Sequence, residues 1–330
     1  MGGGISGISA ALSIKKQDSS INVTIYEKHK TIGYNTEGRR CAEGHSIEEE
    51  WCKWKPEKSS YFNNILEAET IIGNRVYKFQ REIGTAYILN RQEFICQLCR
   101  EAEKLGVDIQ TNNKIKTLDD LEGDVIVDAS GCPSTLKRAL NLRKGMVGYS
   151  YQQTLENANC FNANKIKIIY IGEYGYFWIF PRNPEKKEVN IGIGLYFKGK
   201  NNLKHSLEYF KKENGISGKI NHITGGLIPL GLQRPLIYKN IIFVGDAGVG
   251  TFPLTGQGIY RALMSGDVAG KCIAKGKLKN YPYLIDKMFI KWDVMGKTIY
   301  QINKVFREIN PALVLWVLNA FSKTSSMLHL

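Results

Sequence analysis

Short apolar runs alternate with amphipathic stretches over the first 145 residues of this chain. Runs rich in β-branched residues predict buried strands at 22–26, 75–79, 86–89, 108–111 and 124–130. Between them, residues 91–105 predict an amphipathic helix, because apolar side chains recur there at helical spacing: Phe94, Ile95, Leu98, Ala102 and Leu105. Strands that alternate with helices favour an α/β domain.

The pattern changes near residue 146. Closely spaced strands are predicted at 147–152, 165–172, 176–181 and 188–197, which favours an antiparallel sheet. Residues 201–220 look helical, and the first pattern returns near residue 225. We therefore predict an α/β (α+β) fold. It has a discontinuous nucleotide-binding domain (1–145 and 225–275), an antiparallel-sheet domain (146–224) and a helical C-terminal region (276–330).

Gly2, Gly4 and Gly7 fit the spacing G-x-G-x-x-G and precede a helical stretch. Glu27 ends the next predicted strand, 20 residues beyond Gly7. In dinucleotide-binding folds such glycines permit a tight turn and the close approach of a pyrophosphate, and the acid binds a ribose hydroxyl. The motif predicts a dinucleotide site. The buried strand that usually precedes it is missing, so we expect the recorded start of the chain to be late.

A second motif lies some 240 residues downstream. The apolar run 241–244 leads into Gly245-Asp246-Ala247-Gly248, and the glycine-rich segment Pro253-Leu254-Thr255-Gly256-Gln257-Gly258-Ile259 precedes a small-residue helix. An aspartate at the end of a buried strand can accept hydrogen bonds from a polyol. The glycines let backbone N–H groups approach a planar ring, near the positive end of the helix. This order predicts a flavin pocket.

The composition is that of an ordinary globular protein. The chain has 330 residues, of which 43% are hydrophobic and 23% charged, which excludes a disordered chain. No apolar run approaches the roughly 18–20 residues that cross a bilayer, and residues 1–30 lack the features of a signal peptide. The seven cysteines are scattered, so a disulfide framework is not expected and a reducing cytoplasm is predicted.

Positive charge is concentrated at the C-terminal end. The net charge is +14, and residues Arg261 to Leu330 contain eleven Lys/Arg against four Asp/Glu, half of that total. Trp292, Phe306 and Trp316 lie in the same stretch. Basic and aromatic residues together favour peripheral contact with an anionic membrane, although a solvated basic face over core helices explains the charge equally well. No nucleic-acid motif accompanies the charge, so no nucleic-acid partner is predicted.

The order of these motifs resembles the FAD-dependent hydroxylase fold of the p-hydroxybenzoate hydroxylase type, over residues 1 to 270. Two further segments resemble the geranylgeranyl reductase family. They are Cys41-Ala42-Glu43-Gly44, and Tyr176-Phe177-Trp178-Ile179-Phe180-Pro181 followed by Asn190-Ile191-Gly192-Ile193-Gly194. The family's motif P-x-x-Y-x-W-x-F-P begins with a proline where this chain has Glu173, so that end of the motif departs.

This resemblance implies an FAD cofactor in a Rossmann-like domain. The substrate would reach the other face of the flavin over the antiparallel sheet. The implied contacts run along the cofactor as follows: Ile115 at the adenine, Glu27 at the adenosine ribose, Gly7 and Arg91 at the pyrophosphate, Asp246 at the ribityl hydroxyls, Cys41, Ala42 and Gly44 beside the ribityl chain and isoalloxazine, and Gly258 and Ile259 at the pyrimidine edge.

Tyr176, Trp178 and Phe180 alternate along a predicted strand, so their rings point to one face, with Pro181 at its end. Such a wall suits a long isoprenoid chain, since burial gains ~0.8 kcal/mol per CH₂. Alternation alone fits ordinary core packing equally well. Pro181 and the Asn-x-Gly-x-Gly segment favour a substrate pocket.

The cysteines and histidines give weaker signals. Cys41 is a candidate for proton or electron transfer beside the flavin, or is simply a small apolar residue there. Cys96 and Cys99 form a C-x-x-C within the helix predicted at 91–105, which favours a buried helix face over a metal site. His45 follows Gly44 and is interpreted as structural. The five histidines show no ligand spacing, so no metal is predicted.

Together these features predict an FAD-dependent reductase that saturates C=C bonds of geranylgeranyl chains in the biosynthesis of archaeal-type membrane lipids. Reduced flavin would deliver hydride to one alkene carbon, and a proton would reach the other. Ferredoxin and NAD(P)H both stay open as electron donor. An FAD monooxygenase on the same scaffold and a non-catalytic polyisoprenoid-binding relative are the alternatives. The predicted location is the cytoplasm, with or without peripheral membrane contact.

Overall fold

The computed structural model describes residues 1–33, 41–46, 54–143, 145–171, 175–196, 202–306 and 311–317, with the side chains of 303–306 left out. Its helices are α1 Ile5–Gln17, α2 Arg91–Lys104, α3 Thr135–Ala139, α4 Leu203–Glu213, α5 Ile259–Ala274 and α6 Tyr281–Phe306. Its strands are β1 Thr24–Tyr26, β2 Gly44–Ser46, β3 Tyr61–Asn64, β4 Glu67–Ile72, β5 Arg75–Gln80, β6 Ala86–Leu89, β7 Asp108–Gln110, β8 Ile126–Asp128, β9 Val147–Glu156, β10 Lys165–Ile171, β11 Gly175–Pro181, β12 Val189–Leu195, β13 Lys219–Pro229, β14 Ile237–Tyr238 and β15 Ile241–Phe243.

Two short parallel pairs form the nucleotide-binding layer. β1 pairs with β7, and β15 pairs with β8 and with antiparallel β14. Met1 and Gly2 lie between the two groups: the Gly2 amide donates to Tyr26 O (2.8 Å), and Met1 O accepts from the Ala129 amide (2.9 Å). The strand predicted before Met1 concerns residues outside this sequence. This alternation of strands and helices confirms the predicted α/β class.

Helices α1 and α5 pack closely over this layer. Ser9 Oγ donates to Leu263 O (2.7 Å) and Ser13 Oγ donates to Asp267 O (2.9 Å). Small residues on both helices allow this short separation. The packing matters for the site because α1 follows the glycine turn and α5 follows the second glycine-rich loop.

The second layer is a seven-stranded sheet in the order β13-β9-β12-β11-β10-β4-β5. Neighbours are antiparallel except for the parallel pair β10 and β4. Strands β4 and β5 lie before residue 146, so the sheet draws on two segments of the chain. Helix α4 covers one face; it is shorter than the predicted 201–220, because residues 219 and 220 already belong to β13. The predicted domain boundaries stay a prediction.

The register between β11 and β12 joins two sequence motifs into one surface. Phe180 lies opposite Asn190, Trp178 opposite Gly192 and Tyr176 opposite Gly194, so each large ring faces a small partner across the pair. A Cβ atom on Gly192 would lie 2.1 Å from the Trp178 ring. The glycines of Asn-x-Gly-x-Gly therefore make room for the rings of Tyr-x-Trp-x-Phe.

A Gly192→Ala variant is expected to lose about 1–3 kcal/mol of unfolding free energy, because the added methyl forces the buried Trp178 ring to move. Gly226→Ala is the matched control, since a Cβ there meets nothing within 4 Å. Urea unfolding followed by circular dichroism measures both. Equal midpoints for the two variants would show that the ring is free to shift.

Helix α6 closes the aromatic face of the sheet. Its residues Trp292, Ile299 and Tyr300 belong to one buried cluster with Tyr176 and Trp178. The opposite face of β11 and β12 packs under α4. No helix among the described residues is both long and apolar enough to cross a membrane.

Candidate active site

The first site element is the glycine turn at the N-terminus of α1. A Cβ on Gly7 would lie 2.1 Å from Gly2 O, so the turn needs glycine there, whereas a Cβ on Gly4 would meet nothing within 4 Å. The first turn of α1 carries no acidic residue. This open space at a helix N-terminus suits a phosphate group.

Glu27 follows β1 and is buried beside this turn, with 8% of its surface exposed. Its Oε2 accepts from the Gly3 amide (2.7 Å) and its Oε1 from the His29 amide (2.9 Å). Its backbone carbonyl accepts from the Asn113 amide (2.9 Å), two residues before the buried Ile115. A carboxylate oxygen can accept more than one hydrogen bond. Glu27 therefore holds the turn and can still accept from a ribose hydroxyl.

Arg91 brings the distant motifs together. It begins α2, and its Nη1 lies 3.7 Å from Cys41 Sγ. Burial alone would lower the pKa of Arg91, but the neighbouring Cys41, Glu43 and Asp246 raise it above its usual value. Burial raises the pKa of Asp246, and Arg91 opposes that change. A fixed positive charge thus lies between the Cys41 segment and the Gly-Asp turn.

The carbonyl group of Cys41 is held by the seven-stranded sheet. It accepts from Asn190 Nδ2 (3.3 Å) and Gln152 Nε2 (3.4 Å), and Gln152 Oε1 accepts from Trp178 Nε1 (3.0 Å). Asn190 is positioned in turn by Thr154 Oγ1 (2.7 Å). The indole of the aromatic wall therefore fixes the side chain that anchors the cysteine backbone. The sequence gave no signal for Gln152.

Two buried carboxylates share one arginine beside this segment, and we call Glu43, Arg182 and Glu188 the Arg182 clamp. Arg182 Nε lies 2.8 Å from Glu43 Oε2 and its Nη1 lies 2.5 Å from Glu188 Oε2, and each glutamate side chain is 4% exposed. Burial opposes the charge, but the two carboxylates raise the pKa of Arg182. Glu43 has a φ of 65°, which is strained for a non-glycine residue. The clamp holds that strained turn against the sheet.

The thiol of Cys41 is protonated at neutral pH. Burial raises the pKa of this thiol above its usual value, and the charge of Arg91 only partly offsets the effect. A neutral thiol is a poor nucleophile but carries a proton. Of the two roles considered for Cys41, the geometry favours a proton donor or a small packing residue over a thiolate.

His45 lies in β2, directly after the Cys41 segment, and is 3% exposed. Burial lowers the pKa of His45 to about 4, below its value near 6.5 in an unfolded chain. The neutral ring is therefore the folded form at pH 7. Its contribution to stability is complete above pH 6.5 and is lost as the pH falls from 6.5 toward 4.

A His45→Asn variant is expected to lose the part of acid destabilisation that this ring causes, on the order of 3 kcal/mol between pH 6.5 and 4. Urea unfolding across that pH range measures the slope. His205→Asn changes an exposed histidine and should keep the wild-type slope. Identical slopes for all three proteins would contradict a neutral buried His45.

Four tyrosines hold the second glycine-rich loop, and we call them the tyrosine quartet. Leu254 O accepts from Tyr196 (3.0 Å) and Tyr170 (3.1 Å), Thr255 O accepts from Tyr176 (2.8 Å), and Tyr300 donates to Pro253 O. Burial raises the pKa of all four hydroxyls, which stay protonated donors. Tyr176, predicted as part of an apolar wall, thus also links the sheet to the loop.

The same loop carries an unsatisfied polar atom. Among the described residues, the buried Oγ1 of Thr255 has no hydrogen-bond partner. Gly258 caps α5, whose first turn lacks an acidic residue, and Asp246 Oδ1 lies 3.9 Å from the Cβ position of Gly258. An orphaned hydroxyl and a helix N-terminus together suit a polar ligand edge. The residues present therefore fit a flavin dinucleotide that runs from Glu27 to this loop.

The aromatic wall lies against both loops. Tyr176 and Trp178 are each 7% exposed, with ring centroids 5.8 Å apart, and the Phe180 ring faces Gly44. Pro181 ends β11 as a buried residue. A small cavity beside Tyr176 is lined mainly by glycines and apolar side chains: Gly148, Gly194, Leu195, Tyr196, Ile228, Leu230 and Gly256. The wall is thus shared between the core and the site.

The C-x-x-C on α2 is part of the core. Cys99 is 4% exposed and packs with Phe94 and Leu98, and burial raises the pKa of Cys99 to about 12. Cys96 Sγ lies 3.6 Å from Ile32 O. In the part of the chain that the structure describes, no three His, Cys, Asp or Glu side chains are grouped to hold a metal ion.

Two family models match the chain. The geranylgeranyl reductase catalytic domain matches residues 147–228, and an NAD(P)-binding Rossmann-like domain matches residues 1–50. The first match covers β9 to β13 almost to its end, including the strands that carry the aromatic wall. The second covers the glycine turn and Glu27. These matches support a flavin cofactor in this fold.

Relatives agree with the family models. A digeranylgeranylglycerophospholipid reductase of Methanospirillum hungatei is 28% identical, over 94% of this chain and 85% of that protein. A geranylgeranyl bacteriochlorophyll reductase-like structure from Thermoplasma acidophilum has a TM-score of 0.78 at 20% identity, covering 96% of this chain and 94% of its own. A probable FAD-dependent monooxygenase from Pseudomonas aeruginosa has a TM-score of 0.69 at 12% identity, covering 96% of this chain and 98% of its own. The resemblance drawn from the sequence is confirmed: the chain is a relative of the digeranylgeranylglycerophospholipid reductases and carries a geranylgeranyl reductase catalytic domain.

Proposed function

We propose that this protein is an FAD-dependent reductase that saturates C=C bonds in the geranylgeranyl chains of membrane lipids. The digeranylgeranylglycerophospholipid reductases among its relatives support the substrate class. One observation carries the proposal. The aromatic strand β11 is hydrogen-bonded to both candidate cofactor loops, through Trp178 and Gln152 to Cys41 O and through Tyr176 to Thr255 O. A chain bound along that strand therefore lies beside the cofactor.

The proposed cofactor contacts follow the extended path between the two glycine-rich loops. Glu27 accepts hydrogen bonds from the adenosine ribose, and Ile115 lies at the adenine. The glycine turn and Arg91 hold the pyrophosphate. Nearer the reacting end, the proposed contacts are Asp246 at the ribityl chain, Cys41, Ala42 and Gly44 beside the ring, and Gly258 and Ile259 at the pyrimidine edge.

The chemistry needs a hydride for one alkene carbon and a proton for the other. Bound reduced flavin supplies the hydride. The protein holds the chain, excludes water with the buried aromatic cluster and provides the proton. Cys41 is the proposed proton donor, because its thiol is protonated and next to the permanent charge of Arg91, which stabilises the thiolate left behind.

The wider setting is part of the proposal. Residues 1–145 and 225–275 form the FAD-binding domain, residues 146–224 the substrate sheet and residues 276–330 its helical cover. The protein works in the cytoplasm at an anionic membrane surface and receives electrons from ferredoxin or NAD(P)H.

Flavin retention tests the site. Glu27→Ala and Asp246→Ala remove acceptors at opposite ends of the proposed cofactor path, and each is expected to weaken FAD binding about ten- to a hundredfold, the equivalent of ~1.5–3 kcal/mol. Fluorescence titration of the apoprotein with FAD measures the change. Asp119→Asn alters an exposed acid and is the control. Wild-type affinity in both variants would show that the pocket is placed wrongly.

A further inference from the structure

Helix α6 presents two different faces. Its inner face contributes Trp292, Ile299 and Tyr300 to the aromatic cluster. On the outer face, Tyr283 is 69% exposed and Val294 is 56% exposed. Large apolar side chains on an exposed face are costly in water unless something covers them. The outer face is therefore a candidate interaction surface.

The exposed apolar residues of α6 share one line. Tyr283, Ile290 and Val294 are spaced by seven and four residues, which places them within a narrow arc of the helix. Leu284 borders the same arc. Trp316, in the helical segment 311–317, is 60% exposed. The apolar residues thus form an extended surface rather than scattered single positions.

Positive charge surrounds this line. The exposed lysines of the segment are Lys275, Lys277, Lys279, Lys287 and Lys291. The acids of the same region already have partners: Asp267 pairs with Lys271 (2.5 Å), Asp286 with Arg234 (2.5 Å) and Asp293 with Arg261 (2.7 Å). Within the described residues, none of the five lysines forms an ion pair. The surface is therefore apolar along its centre and positive at its border.

We propose that this α6 outer face, made of Tyr283, Ile290, Val294 and the five exposed lysines, docks on an anionic lipid bilayer. Lysines around an apolar line match the headgroup and acyl regions of such a bilayer at their respective depths. Nucleic acid would satisfy the lysines but leave the apolar line in water.

The surface also suits the proposed reaction. The inner face of the same helix touches the aromatic cluster, so docking through α6 brings the proposed chain-binding wall within one helix diameter of the membrane, about 10–12 Å. The source of the substrate rests on the proposed function. The membrane contact itself does not.

Vesicle sedimentation tests the docking surface. The wild-type protein is expected to bind phosphatidylcholine vesicles that contain one-third phosphatidylglycerol and not vesicles of phosphatidylcholine alone. The double variant Lys287→Glu/Lys291→Glu should bind at least about tenfold more weakly, because each lysine near the surface contributes severalfold in affinity. Lys204→Glu/Lys212→Glu makes the same change of charge on exposed positions of α4 and should bind as the wild type does.

A second variant tests the apolar line. Tyr283→Ser/Val294→Ser should also weaken vesicle binding, by roughly tenfold for two exposed apolar groups. Full binding by this variant, equal binding by the two charge variants, or retention of the wild type on DNA with no vesicle binding would overturn the proposal.

Turnover in detergent separates the two proposals. Reduction of a detergent-solubilised geranylgeranyl lipid should be equal in the wild type and in Lys287→Glu/Lys291→Glu, whose altered residues lie outside the site. Intact vesicle binding without any reduction would contradict the proposed function alone. Reduction without vesicle binding would contradict the docking surface alone.

Discussion

An Arg182→Met variant is expected to unfold with about 3–5 kcal/mol less free energy than the wild type, because it leaves two buried carboxylates without their shared counter-charge. The side chains of Glu43 and Glu188 are each 4% exposed and both contact Arg182. Methionine fills a similar volume, so most of the loss is electrostatic. Because Glu43 lies in the Cys41 segment, the variant should also bind flavin more weakly than the wild type.

Arg100→Met provides the control for the Arg182 clamp. Arg100 and Glu57 form an ion pair at 3.4 Å whose side chains are 50% and 58% exposed, and such pairs contribute about 0–1 kcal/mol. Urea unfolding at neutral pH compares the variants. If Arg182→Met is no less stable than Arg100→Met, the two buried glutamates are not held by Arg182.

Trp178→Ala is expected to reduce turnover of a long isoprenoid about a hundredfold, since misplacement of a reacting group by ~1 Å has an effect of that size. The ring lies over Gly192, and its Nε1 holds Gln152, which in turn holds Cys41 O. Loss of the ring also removes packed surface, and a stability loss of ~3–5 kcal/mol is expected. Turnover is therefore compared only in protein that is folded and still retains flavin.

Trp178→Phe separates the two roles of this ring. Phenylalanine keeps most of the apolar surface but cannot donate to Gln152, which leaves a buried amide oxygen with one hydrogen bond fewer. We expect turnover between that of Trp178→Ala and the wild type, with altered flavin absorbance as the Cys41 segment relaxes. Wild-type turnover in Trp178→Ala would assign the wall to the core alone.

Much of the fold follows from local patterns. The glycine turn, β1 and Glu27 lie within the first 27 residues, where spacing alone sets the geometry. The helix predicted at 91–105 is observed as Arg91–Lys104, and the strand predicted at 86–89 is β6. In each case the hydrophobic period determines which face is buried, so neighbouring residues suffice.

Contacts between distant segments were not predictable in this way. β5 was expected as a strand, but nothing in its pattern shows that it extends the seven-stranded sheet through β4. The Arg182 clamp joins positions up to 145 residues apart, and Gln152 reaches Cys41 across 111 residues. Such polar partners depend on tertiary arrangement, which period and composition do not encode.

The register of Trp178 opposite Gly192 is an intermediate case. Both motifs have the two-residue period of a strand, and large rings require small partners across a pair. The sequence therefore contained the signal that Gly192 and Gly194 face the rings, although not the strand pairing that confirms it. The tyrosine quartet has no comparable signal, because the direction of each hydroxyl depends on where the loop 253–255 docks.

Mass spectrometry of lipids after incubation with the dithionite-reduced, FAD-loaded protein tests the central claim most directly. Geranylgeranyl lipids should gain the mass of two hydrogens for each C=C bond, and the gain should be lost when FAD is omitted. Unchanged lipid masses with a fully reduced, yellow-when-oxidised protein would contradict the account. So would a product that has instead gained the mass of oxygen in the presence of air.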